Sequence, residues 1–256
     1  KLRFAFVPCQ HYETGFFTAY RHMLEDDLDL VFHLGDYIYE YEGRDGRARK
    51  HTGDEIELLR DYRNRYALYK LDPDLQAAHA RFPFVVTWDD HEVDNNYAAD
   101  VSEEEGLASE LFLRRRAEAY QAYFEHMPLR RSSRPAGPRM QLCRQFAYGD
   151  LASFFVLDTR QYRTDQPCGD RSGPSCDGVT AADATMLGEV QEQWLVDGLD
   201  RSSSRWNVLP QQVMMARVDQ AVGDDELISM DQWGGYEVAR RRLMEFLASR
   251  RPSNPV

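Results

Sequence analysis

Phe32-His33-Leu34-Gly35-Asp36-Tyr37-Ile38-Tyr39-Glu40 begins inside an apolar run that opens at Leu30 and ends in a polar cluster. Leu30–Leu34 has the length and composition of a buried strand. Gly35 then lets the chain turn tightly, bringing Asp36 directly after the strand, and Tyr39 comes round one turn later on the same side. Two other stretches share this layout. A strand near Arg3–Pro8 runs into Cys9-Gln10-His11, and a strand at Phe84–Trp88 runs into Asp89-Asp90-His91-Glu92. Ligands of open α/β sheets collect at the carboxyl ends of strands. Three strands that end in Asp, His, Cys and Tyr therefore predict a metal site at one sheet edge.

The residue types narrow the metal. Asp36 can bridge two cations. A phenol titrates near 10 in isolation, so binding by Tyr39 as phenolate calls for a strongly acidic ion such as ferric iron. A Cys9 thiolate suits the same ion. Asp90 can hold a second, harder cation, and His91 can face a substrate as an acid or charge stabiliser. Each has a plainer reading: a turn cap for Asp36, core packing for Tyr39 and Cys9, a solvated loop for Asp89–Glu92. His33 reads as a satisfied core histidine, and His11, close to Cys9, as a candidate for supporting the site without touching the metal.

Outward from these strands the elements alternate. Helices are expected near Thr18–Glu25, Glu55–Tyr69, Pro73–Ala80 and Glu103–His126. A linker at Arg131–Pro138 precedes a hairpin, Met140–Tyr148 and Leu151–Asp158, turning at Gly149-Asp150. A long loop, a helix at Leu187–Leu199, a strand at Trp206–Leu209 and a helix at Tyr236–Ser249 follow. One α/β domain spanning 1–256 is expected. The chain starts directly in a strand-like run without an initiating Met, and Arg251–Val256 reads as a loop entering a further strand, so the chain is expected to be a piece of a longer protein.

A net charge of −12 argues against non-specific nucleic-acid binding. No apolar run approaches the ~18 residues of a membrane span. Arg outnumbers Lys by 28 to 3, and Arg is the better bidentate phosphate ligand. Cys168 and Cys176 bracket a Gly/Pro/Ser loop that a disulfide would close in an oxidising compartment. Cys143 reads as a small buried hydrophobe in a strand.

Phe32–Glu40, Trp88–Asp94, Leu157-Asp-Thr-Arg-Gln-Tyr-Arg163, Thr185–Gly188 with Gln193–Leu195, and Asp231–Tyr236 together resemble the PhoD-like alkaline phosphatases, in that family's order and over nearly the whole chain. The Gly-Asp-x-x-Tyr element alone is shared with purple acid phosphatases. The resemblance implies a calcineurin-like metallophosphatase fold, α/β with a β-sandwich flanked by helices, here cut before a C-terminal metal-binding strand that ends in Gly-Asp-Val-His and without the relatives' N-terminal β-domain. It implies Fe3+ on Cys9 and Tyr39, Asp36 as the bridge, and Ca2+ on Asp90, with Asp89 as the fallback. Arg160 becomes the candidate phosphate clamp, with a structural ion pair to Asp158 or Asp165 as the alternative, and Gln212 a contact to the metal or its water. Pro210 departs from the smaller residue that relatives often carry.

The activity so implied is hydrolysis of a phosphate ester by in-line attack of a metal-bound oxygen, with His91 assisting the leaving group and Arg160 offsetting charge. A phosphodiesterase or phospholipase D-like activity, or an inert metal-binding fragment, are the alternatives. The expected partner is a small-molecule phosphate ester, acted on by a monomer exported through the twin-arginine route to the cell surface or periplasm.

Overall fold

The computed structural model describes residues 1–250, and the expectation for 251–256 lies outside the described residues. The chain forms two compact units, residues 1–95 with 102–141 and residues 96–101 with 142–256.

In the first unit, strands β1 (Phe4–Val7), β2 (Leu30–His33) and β3 (Phe84–Val86) form a parallel sheet in the order β1-β2-β3. The register pairs Val7 with His33 and His33 with Val86, so the three strands end level with one another. That alignment brings Cys9, Asp36 and Asp89 to a common edge. Every residue of the central β2 is buried, as a near-continuous apolar run in a parallel sheet requires.

Helices α1 (Thr18–Met23), α2 (Leu59–Tyr69), α3 (Pro73–Arg81) and α4 (Ser109–His126) complete this unit. Asp72 caps α3, its carboxylate accepting the N–H groups of Asp74 and Leu75, with Pro73 at the first helical position. α4 starts six residues later than the sequence suggests. Glu103-Glu104-Glu105 and Gly106 weaken a helical turn by like charge and backbone freedom, and Ala108 is extended. Trp88, fully buried, stacks on Tyr120 of α4 with ring centroids 4.1 Å apart.

The second unit carries the hairpin β4 (Arg144–Tyr148) and β5 (Ala152–Val156), antiparallel, with β6 (Trp206–Val208) parallel to β5. Helix α5 (Gly188–Arg201) lies close on β5: a Cβ at Gly198 would come within 2.5 Å of the Phe155 ring. Leu195, Leu199, Trp233 and Tyr236, with Ala239 and Leu243 of α6 (Glu237–Arg250), share that core. Cys168 and Cys176 are disulfide-bonded, as expected from the loop they close. Cys143 sits just before β4 and is half-buried, and the strand opens four residues later than Met140, where the sequence suggests it. Among the described residues no helix is long and apolar enough to cross a membrane.

Candidate metal centre

The strand ends supply the site. Cys9 and Asp36 both adopt φ of +54°, a left-handed conformation that costs a residue with a side chain roughly 1–2 kcal/mol. Strain of this kind at two adjacent strand ends points to a functional demand on where the side chains aim. Gly35, at φ +103°, admits no substitute: an added Cβ would lie 2.4 Å from the Asp89 backbone nitrogen. Backbone bonds lace the loops together, Cys9 N–H to Gly35 O at 3.1 Å and Gln10 N–H to Asp36 O at 3.0 Å.

Asp36, Asp90 and His91 present donor atoms that all lie within 4.8 Å of one another. The Tyr39 hydroxyl donates to Asp36 Oδ2 at 2.9 Å, while Asp36 Oδ1 is buried without a hydrogen-bond partner. The Tyr39 ring lies between His11, 4.3 Å away by ring centroids, and His91, at 4.1 Å. Buried Arg65 donates to the carbonyls of Tyr39 and Tyr41 and holds this segment from behind.

The electrostatics are those of several acidic groups brought close together. Burial, then the charges of Asp90 and Asp89, push the Asp36 carboxyl well above the usual carboxylate range. Partial burial of the thiol, then Asp36, pushes Cys9 up, and burial followed by Asp36 and Cys9 does the same to Tyr39. Burial opposes charge on His91, yet Asp90 and the hydrogen bond that Glu40 accepts outweigh it and raise the imidazole well above its ordinary value. A cation would reverse each of these costs. An orphaned carboxylate oxygen beside a thiol, a phenol and a second carboxylate therefore fits a metal, and the thiol–phenol pair fits a strongly acidic one.

Two acids at the site carry roles that their motifs alone do not announce. Glu40 Oε2 lies 2.8 Å from His91 Nδ1, and its Oε1 accepts the Asn95 N–H at 3.0 Å, so it sets the orientation of the imidazole. Glu92 accepts backbone N–H groups from Asp36, Tyr37 and Asp89. Both sit inside the quoted motifs, next to Tyr39 and His91, and that position is the signal that could have found them. His33 is in the core as expected but only half satisfied: Nδ1 accepts the Gly35 N–H and Nε2 is buried unpaired.

Arg160 and Gln212 belong to the second unit. Arg160 is buried and donates to Asp231 Oδ1 and Oδ2 at 2.6 and 2.7 Å, so its fork is engaged by a carboxylate other than Asp158 or Asp165. Asp158 instead accepts the Arg160 backbone N–H. The same Asp231 binds Arg163 and Gln166, which makes Arg160 part of a polar anchor. Gln212 accepts from Thr159 Oγ1 at 2.9 Å and donates to Leu157 O at 3.1 Å.

Comparison with known proteins agrees with the motif pattern. A family profile described as PhoD-like phosphatase matches residues 4–256. Alkaline phosphatase D of Bacillus subtilis (strain 168) is 52% identical over 261 residues, covering 100% of this chain and 45% of the relative. The solved structure described as "Structure of PhoD" superposes with a TM-score of 0.94 at 53% identity, covering 98% of this chain and 49% of that one. The chain thus spans about half the length of the relatives it matches.

Proposed function

The chain belongs to the PhoD-like phosphatase family, and from that premise we propose that it hydrolyses phosphate esters at a metal centre held by Cys9, Asp36, Tyr39 and Asp90, with Asp89 beside them. The observation that carries the proposal is the buried Asp36 carboxylate, its Oδ1 unpaired and its Oδ2 accepting the Tyr39 hydroxyl, with donor atoms of Asp90 and His91 within 4.8 Å. Ferric iron suits the thiolate and phenolate donors, and calcium the carboxylate oxygens. When bound, such a pair supplies Lewis acidity at the phosphoryl oxygens and makes water nucleophilic near neutral pH.

The protein's own groups do the rest. Tyr39, Cys9 and Asp36 would hold the metal as phenolate, thiolate and carboxylate, and the hydrogen bond between Tyr39 and Asp36 would then be exchanged. Glu40 fixes His91 through Nδ1, which leaves Nε2 as the nitrogen to meet the substrate. A protonated imidazole so placed would hand a proton to the departing ester oxygen, or offset its charge.

Mono- and diesters share this chemistry, and the choice between them rests with the shape around the site. The Cys168–Cys176 disulfide supports action in an oxidising compartment outside the cytoplasm. Turnover of p-nitrophenyl phosphate and bis(p-nitrophenyl) phosphate by protein loaded with iron and calcium tests the proposal. Asp36→Ala should reduce both by at least about 10²-fold, the scale of losing one group that stabilises transition-state charge; unchanged turnover would overturn it.

A further inference from the structure

We propose that Glu92 is a positioning residue of this centre, a carboxylate clasp that sets the Asp36 loop and the Asp89–Asp90 loop in ligating register without itself binding the metal. The proposal rests on the reading of the site as a metal centre. Glu92 lies outside the Asp36–Asp90–His91 donor group and is only 1% exposed. Its Oε2 accepts the N–H of Asp36 at 3.1 Å and of Asp89 at 2.7 Å, and its Oε1 accepts the N–H of Tyr37 at 2.5 Å.

These three donors come from two different strand ends. The loops meet backbone to backbone, closely enough that any side chain at Gly35 would strike Asp89. They turn N–H groups toward the same point, and an N–H cannot satisfy another N–H. A buried donor without an acceptor costs about 1–3 kcal/mol, so the junction requires a multivalent acceptor. A carboxylate offers about four lone-pair positions and no proton to compete with the incoming donors. Glutamine in its place presents one oxygen and an NH2 group, and must leave at least one loop amide facing another donor.

The consequence reaches the metal through Asp36. Its left-handed backbone is held by the N–H bond to Glu92 on one side and by its carbonyl bond from Gln10 N–H on the other. Release of the first lets the residue relax toward ordinary φ, which turns its carboxylate away from Tyr39 and Asp90. Partners of this kind, which orient ligands from behind, typically account for 10–100-fold in metal affinity.

Glu13 supplies the control. It is as buried as Glu92 and also accepts two backbone N–H groups, from Arg44 and His51, each at 2.9 Å, but neither donor is a candidate ligand. The experiment titrates the metal-free full chain with ferric citrate against a competing chelator and follows the phenolate-to-iron absorption band. Glu92→Gln should bind iron about 10–100-fold more weakly with a reduced band at saturation, while Glu13→Gln lowers the melting temperature and keeps wild-type affinity. Wild-type affinity in Glu92→Gln, or an equal loss in Glu13→Gln, overturns the clasp. A wild type that binds no iron overturns the metal reading and the clasp together. Amide exchange in the wild type decides the matter even where Glu92→Gln does not fold: the N–H groups of Asp36, Tyr37 and Asp89 should be protected although they lie in loops, and fast exchange at all three contradicts the clasp.

Discussion

Asp36 combines a left-handed backbone with a buried carboxylate oxygen that nothing in the protein satisfies. Either feature alone is a local cost, and together they are what the proposed metal site accounts for. Gly35 is the neighbour that makes this possible. Gly35→Ala should destabilise the first unit by about 2–4 kcal/mol, from left-handed strain plus overpacking against Asp89, read as a lower urea midpoint at unchanged slope. Cys9, Asp36 and Tyr39 stand out in the sequence as candidates because their signal is local: a strand, a turn and a candidate ligand type at fixed spacing. Glu40 and Glu92 were not legible as functional groups, because what they do depends on partners 51 and 56 residues away in sequence. The guanidinium of Arg160 meets Asp231, 71 positions on, a pairing that local sequence does not announce.

The elements follow from physical chemistry of unequal reach. α3 begins where Asp72-Pro73 says it should, because a cap is a local device. α4 begins later than its charge pattern suggests, because what holds that helix is its packing on Trp88, Tyr120 and Tyr123, all in its central and final turns or beneath them. Trp88→Ala should therefore cost about 3–5 kcal/mol, the range for emptying a large buried aromatic site, measured by chemical denaturation followed at helical CD. In the second unit, removing the Cys168–Cys176 bridge should cost about 2–3 kcal/mol by the entropy of a short closed loop. A Cys168→Ser/Cys176→Ser variant tests this, and the loss should match that of the wild type under reducing conditions.

At the scale of the molecule, the two units each carry an arginine-paired carboxylate, Glu125 exposed and Glu237 buried, whose pKa is depressed to about 2. Glu125 is held there by its hydrogen bonds from Arg63, and Glu237 by those from Arg240 and Arg241. A folded pKa below the unfolded one means that the stabilisation is complete above about 4.5 and is lost as pH falls toward 2. Glu125→Gln and Glu237→Gln should each flatten the acid limb of the melting temperature between those values and change little at pH 7 beyond a surface pair's contribution; a wild-type slope in either variant would contradict the assignment. The parallel sheet and the helical order were readable from apolar runs and turn residues. The grouping of residues 96–101 with the second unit follows from which segments pack together across a gap in sequence.

The central claim is that Cys9, Asp36 and Tyr39 hold a strongly acidic metal. Iron loading of the wild type and of Tyr39→Phe, each followed by bound-metal analysis and visible absorption, tests it most directly. The wild type should bind ferric iron with a phenolate-to-iron band, and Tyr39→Phe, which removes one oxygen, should fold and lose that band. A wild type without iron, or a Tyr39→Phe variant whose band is intact, would contradict it.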